Sequence, residues 1–182
     1  MSEQPSAALT PTSNSSPPTP PKVHLSIGDP APLFALPSDQ STQISLDQYR
    51  GQFVALYFYP KDDTPMCTLQ AVDFSARLAD FAALNCAILG VSRDPVKSHA
   101  KVRKKHALGI PLLSDEGGAI AALYGVWVQK SMYGKSYMTM ERSTFLIDPQ
   151  GQVAAIWRKV EAPGHADAVL EVLRARLAPT KD

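Results

Sequence analysis

The residue best suited to chemistry in this chain is Cys67, in the stretch YFYPKDDTPMCTLQAV at residues 57–72. A cysteine in the first turn of a helix lies where unpaired amides and the helix dipole favour negative charge, so its thiolate is stabilised. The thiolate is the nucleophilic and readily oxidised form. Cysteine is also a common small core residue. The reactive interpretation is favoured by the helix start predicted at Thr64 and Pro65 and by the strand break at Pro60.

Two predicted elements position this cysteine. The apolar run FVALYFY at residues 53–59 is typical of a central strand buried on both faces, and Pro60 ends it. From Thr64 onward the apolar residues recur every three or four positions, which predicts one amphipathic helix to about Ala83. Thr64 is then the N-cap, whose hydroxyl can satisfy an unpaired amide, and Pro65 is the first helical residue. Cys67 therefore lies beyond the carboxyl end of a central strand, where open α/β sheets place their active centres.

The rest of the chain alternates between strand and helix patterns. Further strands are predicted at 31–36, 43–46, 86–92, 111–114, 143–148 and 152–157, and the last two form a hairpin across the turn DPQG. Helices are predicted at 94–106, at 117–125 and along the face shared by Val169, Leu170, Leu173 and Leu177. This order predicts an α/β fold with a central mixed sheet flanked by helices on both faces.

Length and composition exclude several classes of protein. The 182 residues, 45% of them hydrophobic, can form one domain with a sizeable core. Residues 1–22 are rich in Pro, Ser and Thr, so we expect a disordered tail before a domain at 23–182. A formal net charge of +1 without a basic patch argues against nucleic acid as a partner. No apolar run approaches the ~18 residues of a membrane span, so no membrane partner is expected.

The cysteines and histidines give two further expectations. Two cysteines are too few for the disulfide framework of a secreted domain, which favours the cytoplasm. The four histidines have no spacing that indicates a metal site, and we expect them to be surface or helix residues: His24, His99, His106 and His165. The chain also lacks a glycine-rich phosphate loop, so neither a metal nor a cofactor is predicted.

The segment YFYPKDDTPMCT resembles the peroxidatic motif of the peroxiredoxins, Pro-x-x-x-Thr-x-x-Cys, carried here by Pro60, Thr64 and Cys67. The similarity continues through ILGVSRDP, LLSD, YGVW and RSTFLIDPQG and covers essentially everything after the tail. Within the peroxiredoxins it most resembles the bacterioferritin-comigratory or peroxiredoxin Q group. The resemblance implies a thioredoxin-like fold and a thiol-dependent peroxidase that reduces hydrogen peroxide and organic hydroperoxides.

The resemblance also implies a role for each matching residue. Cys67 attacks one peroxide oxygen and becomes a sulfenic acid. Arg142, just before the strand STFLID, brings a permanent positive charge and several donors beside the thiolate and polarises the peroxide. The Thr64 hydroxyl serves both the helix N-terminus and the peroxide, and Pro60 separates the sulfur from bulk water.

The cysteine that completes the cycle in many members of this group is missing. Such members carry it either five residues after the first cysteine or on the next helix, and this chain has Val72 and Arg103 there. Cys86, the only other thiol, begins a buried strand and is interpreted as a core residue. The hypothesis is that Cys67 works alone and is reduced by an external thiol such as thioredoxin, glutaredoxin or a low-molecular-weight thiol. A monomer is expected rather than a dimer.

Two substitutions and two rival functions complete the interpretation. Met66 replaces the glycine usual before the cysteine, and Thr139 replaces a glycine often found before Arg142, so both affect the expected preference among peroxides. A thiol-disulfide oxidoreductase is disfavoured because a Cys-x-x-Cys pair is absent. The alternative from another class is a non-enzymatic thiol redox sensor or holdase on the same fold, in which oxidation of Cys67 changes a binding surface.

Overall fold

The computed structural model describes residues 24–40 and 42–179. The predicted tail at 1–22 lies outside the described residues, as do residues 23 and 180–182 at the two ends of the predicted domain. The described part of the chain contains nine strands, five α-helices and one 3₁₀ helix.

Five strands form the central sheet, and their bounds are β3 Phe53–Phe58, β4 Cys86–Ser92, β5 Leu112–Ser114, β8 Ser143–Ile147 and β9 Val153–Trp157. Their spatial order is β5-β4-β3-β8-β9. The pairs β3–β4 and β4–β5 are parallel, whereas β3–β8 and β8–β9 are antiparallel. Every residue of β3 is buried, as expected for the middle strand of a sheet covered on both faces. The predicted mixed sheet is confirmed.

The helices are α1 Pro65–Ala76, α2 Leu78–Ala83, α3 Val96–His106, α4 Ala119–Leu123 and α5 His165–Leu177. One face of the sheet packs against α1, α2, α3 and α5 through a core that includes Phe74, Phe81, Val102 and Leu173. The other face packs against α4 and the hairpin of β1 (Ala35–Pro37) and β2 (Gln43–Ser45), through Ala121, Leu36 and Ile44. Helices therefore cover both faces, although a single short helix covers the second.

The single helix predicted from Thr64 to about Ala83 is wrong, because the chain breaks at Arg77. Arg77 has φ −105° and ψ 9°, so it ends α1 and precedes α2. Its guanidinium donates to the Asp73 carbonyl at 3.2 Å and forms an ion pair with Asp167 on α5. The apolar period continues across the break, and Phe74 and Phe81 still enter the same core. Periodicity alone therefore did not reveal the break.

The strand predicted at 31–36 is also wrong in extent, since β1 covers only Ala35–Pro37. Pro30 and Pro32 cannot donate a backbone hydrogen bond, which restricts ladder formation in this segment. Pro30 makes only an isolated bridge to Gln152. A short 3₁₀ helix at Leu46–Tyr49, which the sequence analysis did not predict, follows β2.

A second hairpin, β6 Trp127–Met132 and β7 Lys135–Met140, was not predicted as strands. Most of its side chains are exposed, so it lacks the alternation of apolar and polar residues that identifies a half-buried strand. Its two-residue turn has positive φ at both Tyr133 (51°) and Gly134 (76°), as a type I′ turn requires. Asparagine or aspartate usually precedes the glycine of such a turn, and with tyrosine there the sequence did not indicate a hairpin.

None of the helices in the described residues is both long and apolar enough to span a membrane.

Candidate active site

Cys67 lies in the first turn of α1, where the sequence placed it, and is only 4% exposed. Thr64 has the extended backbone of an N-cap, and its carbonyl accepts the first helical hydrogen bond from the Thr68 N–H at 2.9 Å. Pro65 occupies the first helical position, as predicted. The backbone N–H of Cys67 precedes that first bond, so it has no acceptor within the helix.

The predicted capping bond of the Thr64 hydroxyl is not formed. No side-chain oxygen caps α1, and Thr64 Oγ1 instead donates to the Lys61 carbonyl at 2.9 Å. A threonine hydroxyl can donate to a carbonyl three residues earlier or accept from an amide three residues later. Here the Lys61 carbonyl lies within hydrogen-bond distance, and the hydroxyl donates to it. The hydroxyl remains half-exposed at the start of the helix that carries Cys67.

Arg142 directly contacts the cysteine, 75 residues along the chain. Its Nη2 lies 3.2 Å from Cys67 Sγ, and its Nη1 donates to Gln70 Oε1 at 2.6 Å. The Arg142 carbonyl accepts from the Val160 N–H at 2.9 Å, which joins this end of β8 to the segment after β9. The backbone of Arg142 is thus fixed by Val160, and its guanidinium lies between the Gln70 amide oxygen and the Cys67 sulfur.

Gln70 is a site residue that sequence reasoning missed. It is 1% exposed and lies three residues after Cys67, so both side chains project from the same face of α1. The helical spacing was the available signal, but a glutamine at that position reads as ordinary helix surface until its partner Arg142 is placed. In the structure it orients the guanidinium that contacts the sulfur.

The loop between β3 and α1 is fastened to α3 through a buried carboxylate. Asp62 accepts from the hydroxyl of Tyr59 at 2.6 Å and from that of Ser98 at 2.8 Å. His99 Nδ1 lies 2.7 Å from Asp62 Oδ2. Burial opposes ionisation of Asp62, but the hydrogen bonds of His99, Tyr59 and Ser98 outweigh it and hold the pKa of this carboxyl below its usual value.

Two of the histidines predicted as surface or helix residues are on helices but are not on the surface. His99 on α3 is fully buried, and its Nε2 donates to the Leu113 carbonyl at 2.9 Å. His165 begins α5 and lies 2.7 Å from the Thr144 hydroxyl through Nε2. Burial and the positive charge of Arg142 lower the pKa of His165 to about 4, so its ring is neutral at pH 7. Among the described residues, no group of three His, Cys, Asp or Glu side chains could hold a metal ion.

Two cavities adjoin Arg142. The hairpin cavity, of about 390 Å³, lies between the β6–β7 hairpin and the segment after β9, and its lining includes Pro60, Lys130, Tyr137, Arg142 and Lys159. The Met66 cavity, of about 370 Å³, has an apolar lining of Met66, Val160, Ala162 and Pro163 together with Glu161 and Arg142. Pro60 therefore lies on the wall of a cavity that leads to the arginine of the site.

Cys86 lies at the opposite end of the sheet. It pairs with Phe53 at the start of β3, whereas Cys67 follows the end of β3. The six residues from Phe53 to Phe58 span roughly 16 Å along the strand, well beyond the ~7 Å between Cα atoms that a disulfide tolerates. Burial also raises the pKa of Cys86 to about 12, so its thiolate is scarce at neutral pH.

Val72 and Arg103 occupy the two positions at which the resemblance leads us to expect a resolving cysteine. Val72 is an exposed residue of α1. Arg103 joins α3 to neighbouring segments, because its Nη1 donates to Asp39 Oδ2 at 3.2 Å and to the Ile110 carbonyl at 2.7 Å. Both described cysteines are free thiols.

The mixed sheet carries a cysteine in the first turn of the helix that follows its central strand, with an arginine against the sulfur. This arrangement agrees with the class that the resemblance predicts, the thiol-dependent peroxidases called peroxiredoxins. Residues 27–156 match the AhpC/TSA family. The chain belongs to this family, and its similar proteins place it with the Bcp and peroxiredoxin Q members.

Relatives and solved structures agree on this placement. Peroxiredoxin Bcp of Xanthomonas campestris is 48% identical over 148 residues, which cover 80% of this chain and 92% of that protein. Peroxiredoxin Bcp of Escherichia coli is 36% identical over 150 residues, 82% of this chain and 96% of that protein. A structure of the X. campestris bacterioferritin comigratory protein, studied for its alkyl peroxide reduction activity, superposes with a TM-score of 0.77 at 45% identity, covering 80% and 92% of the two chains. A cysteine-to-serine mutant of Xylella fastidiosa PrxQ gives a TM-score of 0.81 at 38% identity, covering 85% and 99%.

Proposed function

We propose that this peroxiredoxin reduces peroxides with Cys67 as its one redox-active cysteine, and that an external thiol returns the oxidised cysteine to its starting state. The observation that carries the proposal is that Arg142, and not a second cysteine, lies against Cys67. Arg142 Nη2 contacts the Cys67 sulfur at 3.2 Å, whereas Cys86 lies buried at the other end of the sheet.

The residues around Cys67 can perform the oxidative step without another group. The Cys67 thiolate attacks one peroxide oxygen, the O–O bond breaks, and the second oxygen leaves with a proton as water or an alcohol. Arg142 stabilises the thiolate and the negative charge that develops on the peroxide oxygens, because its donors face the sulfur and it has no carboxylate partner among the described residues. The unpaired N–H of Cys67 adds a second donor. Thr64 and Pro60 border the approach to the sulfur.

Alkyl hydroperoxides are the proposed substrates alongside hydrogen peroxide. The Met66 cavity meets Arg142 and is lined mainly by apolar side chains, so it can receive an alkyl group while the peroxide faces the guanidinium. The related X. campestris protein has alkyl peroxide reduction activity. Because Met66 stands where this group usually has glycine, the cavity wall in this chain contains a flexible thioether side chain that contacts apolar groups well.

The proposal also covers the reductant, the cellular compartment and the oligomeric state. With Val72 and Arg103 at the usual resolving positions, the reductant comes from outside the chain, and thioredoxin, glutaredoxin and small thiols are the candidates. Two free thiols fit a reducing compartment such as the cytoplasm. We propose a monomer as the working unit.

Rapid-mixing fluorescence and mass spectrometry test the proposal together. Hydrogen peroxide should produce a fast fluorescence change from Trp127 or Trp157 that disappears in Cys67→Ser and persists in Cys86→Ser. A sulfenic acid trapped on Cys67, without an intrachain disulfide, is the expected product. A bond between Cys67 and Cys86 would contradict the one-cysteine cycle. Oxidation no faster than that of an ordinary free thiol would instead favour the redox sensor or holdase.

A further inference from the structure

The hairpin cavity carries more positive charge than the peroxide reaction requires. Lys130, Arg142 and Lys159 all line it. Within the described residues none of the three pairs with a carboxylate, whereas Arg77, Arg103 and Lys105 elsewhere in this part of the chain each do. Glu141 is the one acidic residue in the lining, and it forms no ion pair with any of the three cations. The lining therefore has an excess of two positive charges over negative ones.

The backbone positions the two lysines at the rim of this cavity. Lys130 on β6 is paired directly with Tyr137 on β7, so both side chains lie on the same face of the hairpin, and both line the cavity. Lys159 has φ +50°, a left-handed conformation that residues other than glycine rarely adopt. It lies next to Val160, whose N–H is bonded to the Arg142 carbonyl. Strained residues of this kind concentrate at ligand sites.

From this cavity we infer that the reductant is a low-molecular-weight thiol carrying carboxylates, and that Lys130 and Lys159 bind those carboxylates while its sulfur reaches Cys67 past Arg142. The inference rests on the proposed one-cysteine cycle. A volume of about 390 Å³ is within the range of small-molecule sites and suits a peptide-sized thiol. The Met66 cavity, which shares Arg142 and Val160 with the hairpin cavity but is otherwise mostly apolar, leaves a separate place for the alkyl group of the peroxide.

The chemistry of the reductive half-cycle is balanced with two such thiols. The thiolate of the first attacks the sulfur of the Cys67 sulfenic acid, an S–S bond forms, and the S–O bond breaks as the oxygen leaves with protons as water. A second thiolate attacks the small-molecule sulfur of this mixed disulfide. Cys67 leaves as a thiolate, and the two small thiols have been oxidised to one disulfide. Each thiol supplies one electron to the reduction of Cys67.

The test compares glutathione, a tripeptide thiol with two carboxylates, with the neutral thiol 2-mercaptoethanol. The measured quantity is the ratio of their second-order rate constants for reducing the Cys67 sulfenic acid. The double variant Lys130→Gln with Lys159→Gln should lower this ratio about tenfold, because each lysine contributes a modest, solvent-exposed charge interaction. Added salt should lower the wild-type ratio in the same direction.

Lys135→Gln is the matched control, since Lys135 is an exposed lysine on the same hairpin that does not line the cavity, and its ratio should equal that of the wild type. An unchanged ratio in the double variant would overturn the inference. So would a selective loss of oxidation by a carboxylate-bearing hydroperoxide, with the thiol ratio preserved, because the cavity would then bind the substrate. Absence of any fast oxidation of wild-type Cys67 by hydrogen peroxide would instead refute the proposed function itself.

Discussion

At the scale of single residues, the site depends on one guanidinium shared between a sulfur and an amide oxygen. Besides contacting Cys67, the Arg142 guanidinium donates to Gln70, which lies on the same helix as the cysteine. Two fixed hydrogen bonds restrict the long arginine side chain before the peroxide arrives. Less reorganisation is then needed in the transition state.

Replacing Arg142 by alanine should slow the reaction of Cys67 with hydrogen peroxide by about 10²- to 10³-fold, the usual loss when one oriented donor is removed from a site of developing negative charge. Stopped-flow fluorescence measures the second-order rate constant. Arg174→Ala, an exposed arginine on α5, is the control and should react like the wild type. A rate for Arg142→Ala within about twofold of the wild type would remove Arg142 from the reaction.

At the scale of elements, buried hydrogen bonds of Asp62 and an exposed ion pair of Asp63 both connect the loop after β3 to α3. Asp62 receives three hydrogen bonds in the interior, from Tyr59, Ser98 and His99. Asp63, the next residue, forms an exposed ion pair with Lys105 of the same helix. The inner contacts position the loop that leads into α1, and hence Cys67.

Asp62→Asn should lower the free energy of unfolding by roughly 3 kcal/mol, because removal of one partner leaves the buried His99 side chain without its carboxylate. Urea titration measures the change, and the same variant should react more slowly with peroxide. Asp63→Asn is the matched control, and its urea midpoint should stay close to that of the wild type because the lost ion pair is exposed. Equal midpoints for the two variants would contradict the proposed role of the buried network.

At the scale of the whole molecule, the two faces of the sheet differ in what they hold. The face under α1, α2, α3 and α5 contains both cysteines and His165, and the opposite face contains an aromatic core around Tyr124 and Phe145. The candidate site lies where β3 ends and β8 begins, with the β6–β7 hairpin beside it, whereas Cys86 lies at the other end of the sheet. The free energy of unfolding depends on pH through buried titratable groups on the face that contains the cysteines, such as His165.

The unfolding free energy should fall as pH decreases from about 6.5 to about 4, partly because of His165. Burial and Arg142 lower the pKa of His165 to about 4 in the folded state, so between these pH values the unfolded chain binds a proton that the folded chain does not. Chemical denaturation at several pH values should show a smaller slope for His165→Gln. His24→Gln, which changes an exposed histidine, should keep the wild-type slope. Identical slopes for all three proteins would exclude His165 as the cause.

Alkylation should distinguish the two thiols in the native protein. Both thiols are buried, but burial raises the pKa of Cys86 to about 12, whereas Cys67 has the Arg142 guanidinium against its sulfur. Iodoacetamide should therefore label Cys67 and leave Cys86 unmodified until denaturant is added. Peptide mass spectrometry reads both sites, with the denatured protein as the control for full labelling. Labelling of native Cys86 at the rate of Cys67 would show that the strand is less well packed than the structure indicates.

Sequence patterns correctly predicted the elements that depend on residues close together in the chain. The strand at β3, the first turn of α1 with Pro65 and Cys67, and the mixed sheet were all foreseen and are confirmed. The failures have particular causes. Arg77 breaks the predicted helix through contacts with Asp73 and with Asp167 on α5. Most side chains of the β6–β7 hairpin are exposed, so its sequence lacks the alternating pattern of a half-buried strand.

The amino-acid sequence alone was enough to predict Cys67 as the reactive residue and to show that Val72 and Arg103 stand where the resemblance leads us to expect a resolving cysteine, because both inferences depend on residue type and position along the chain. Only the tertiary structure decided that Gln70 orients Arg142, that Asp62 and His99 fasten the loop, and that Lys130 and Lys159 share one cavity. These contacts join residues that are distant along the chain, or depend on where the β6–β7 hairpin packs relative to the segment after β9. Such distances are set by the packing of the whole core, which no local pattern contains.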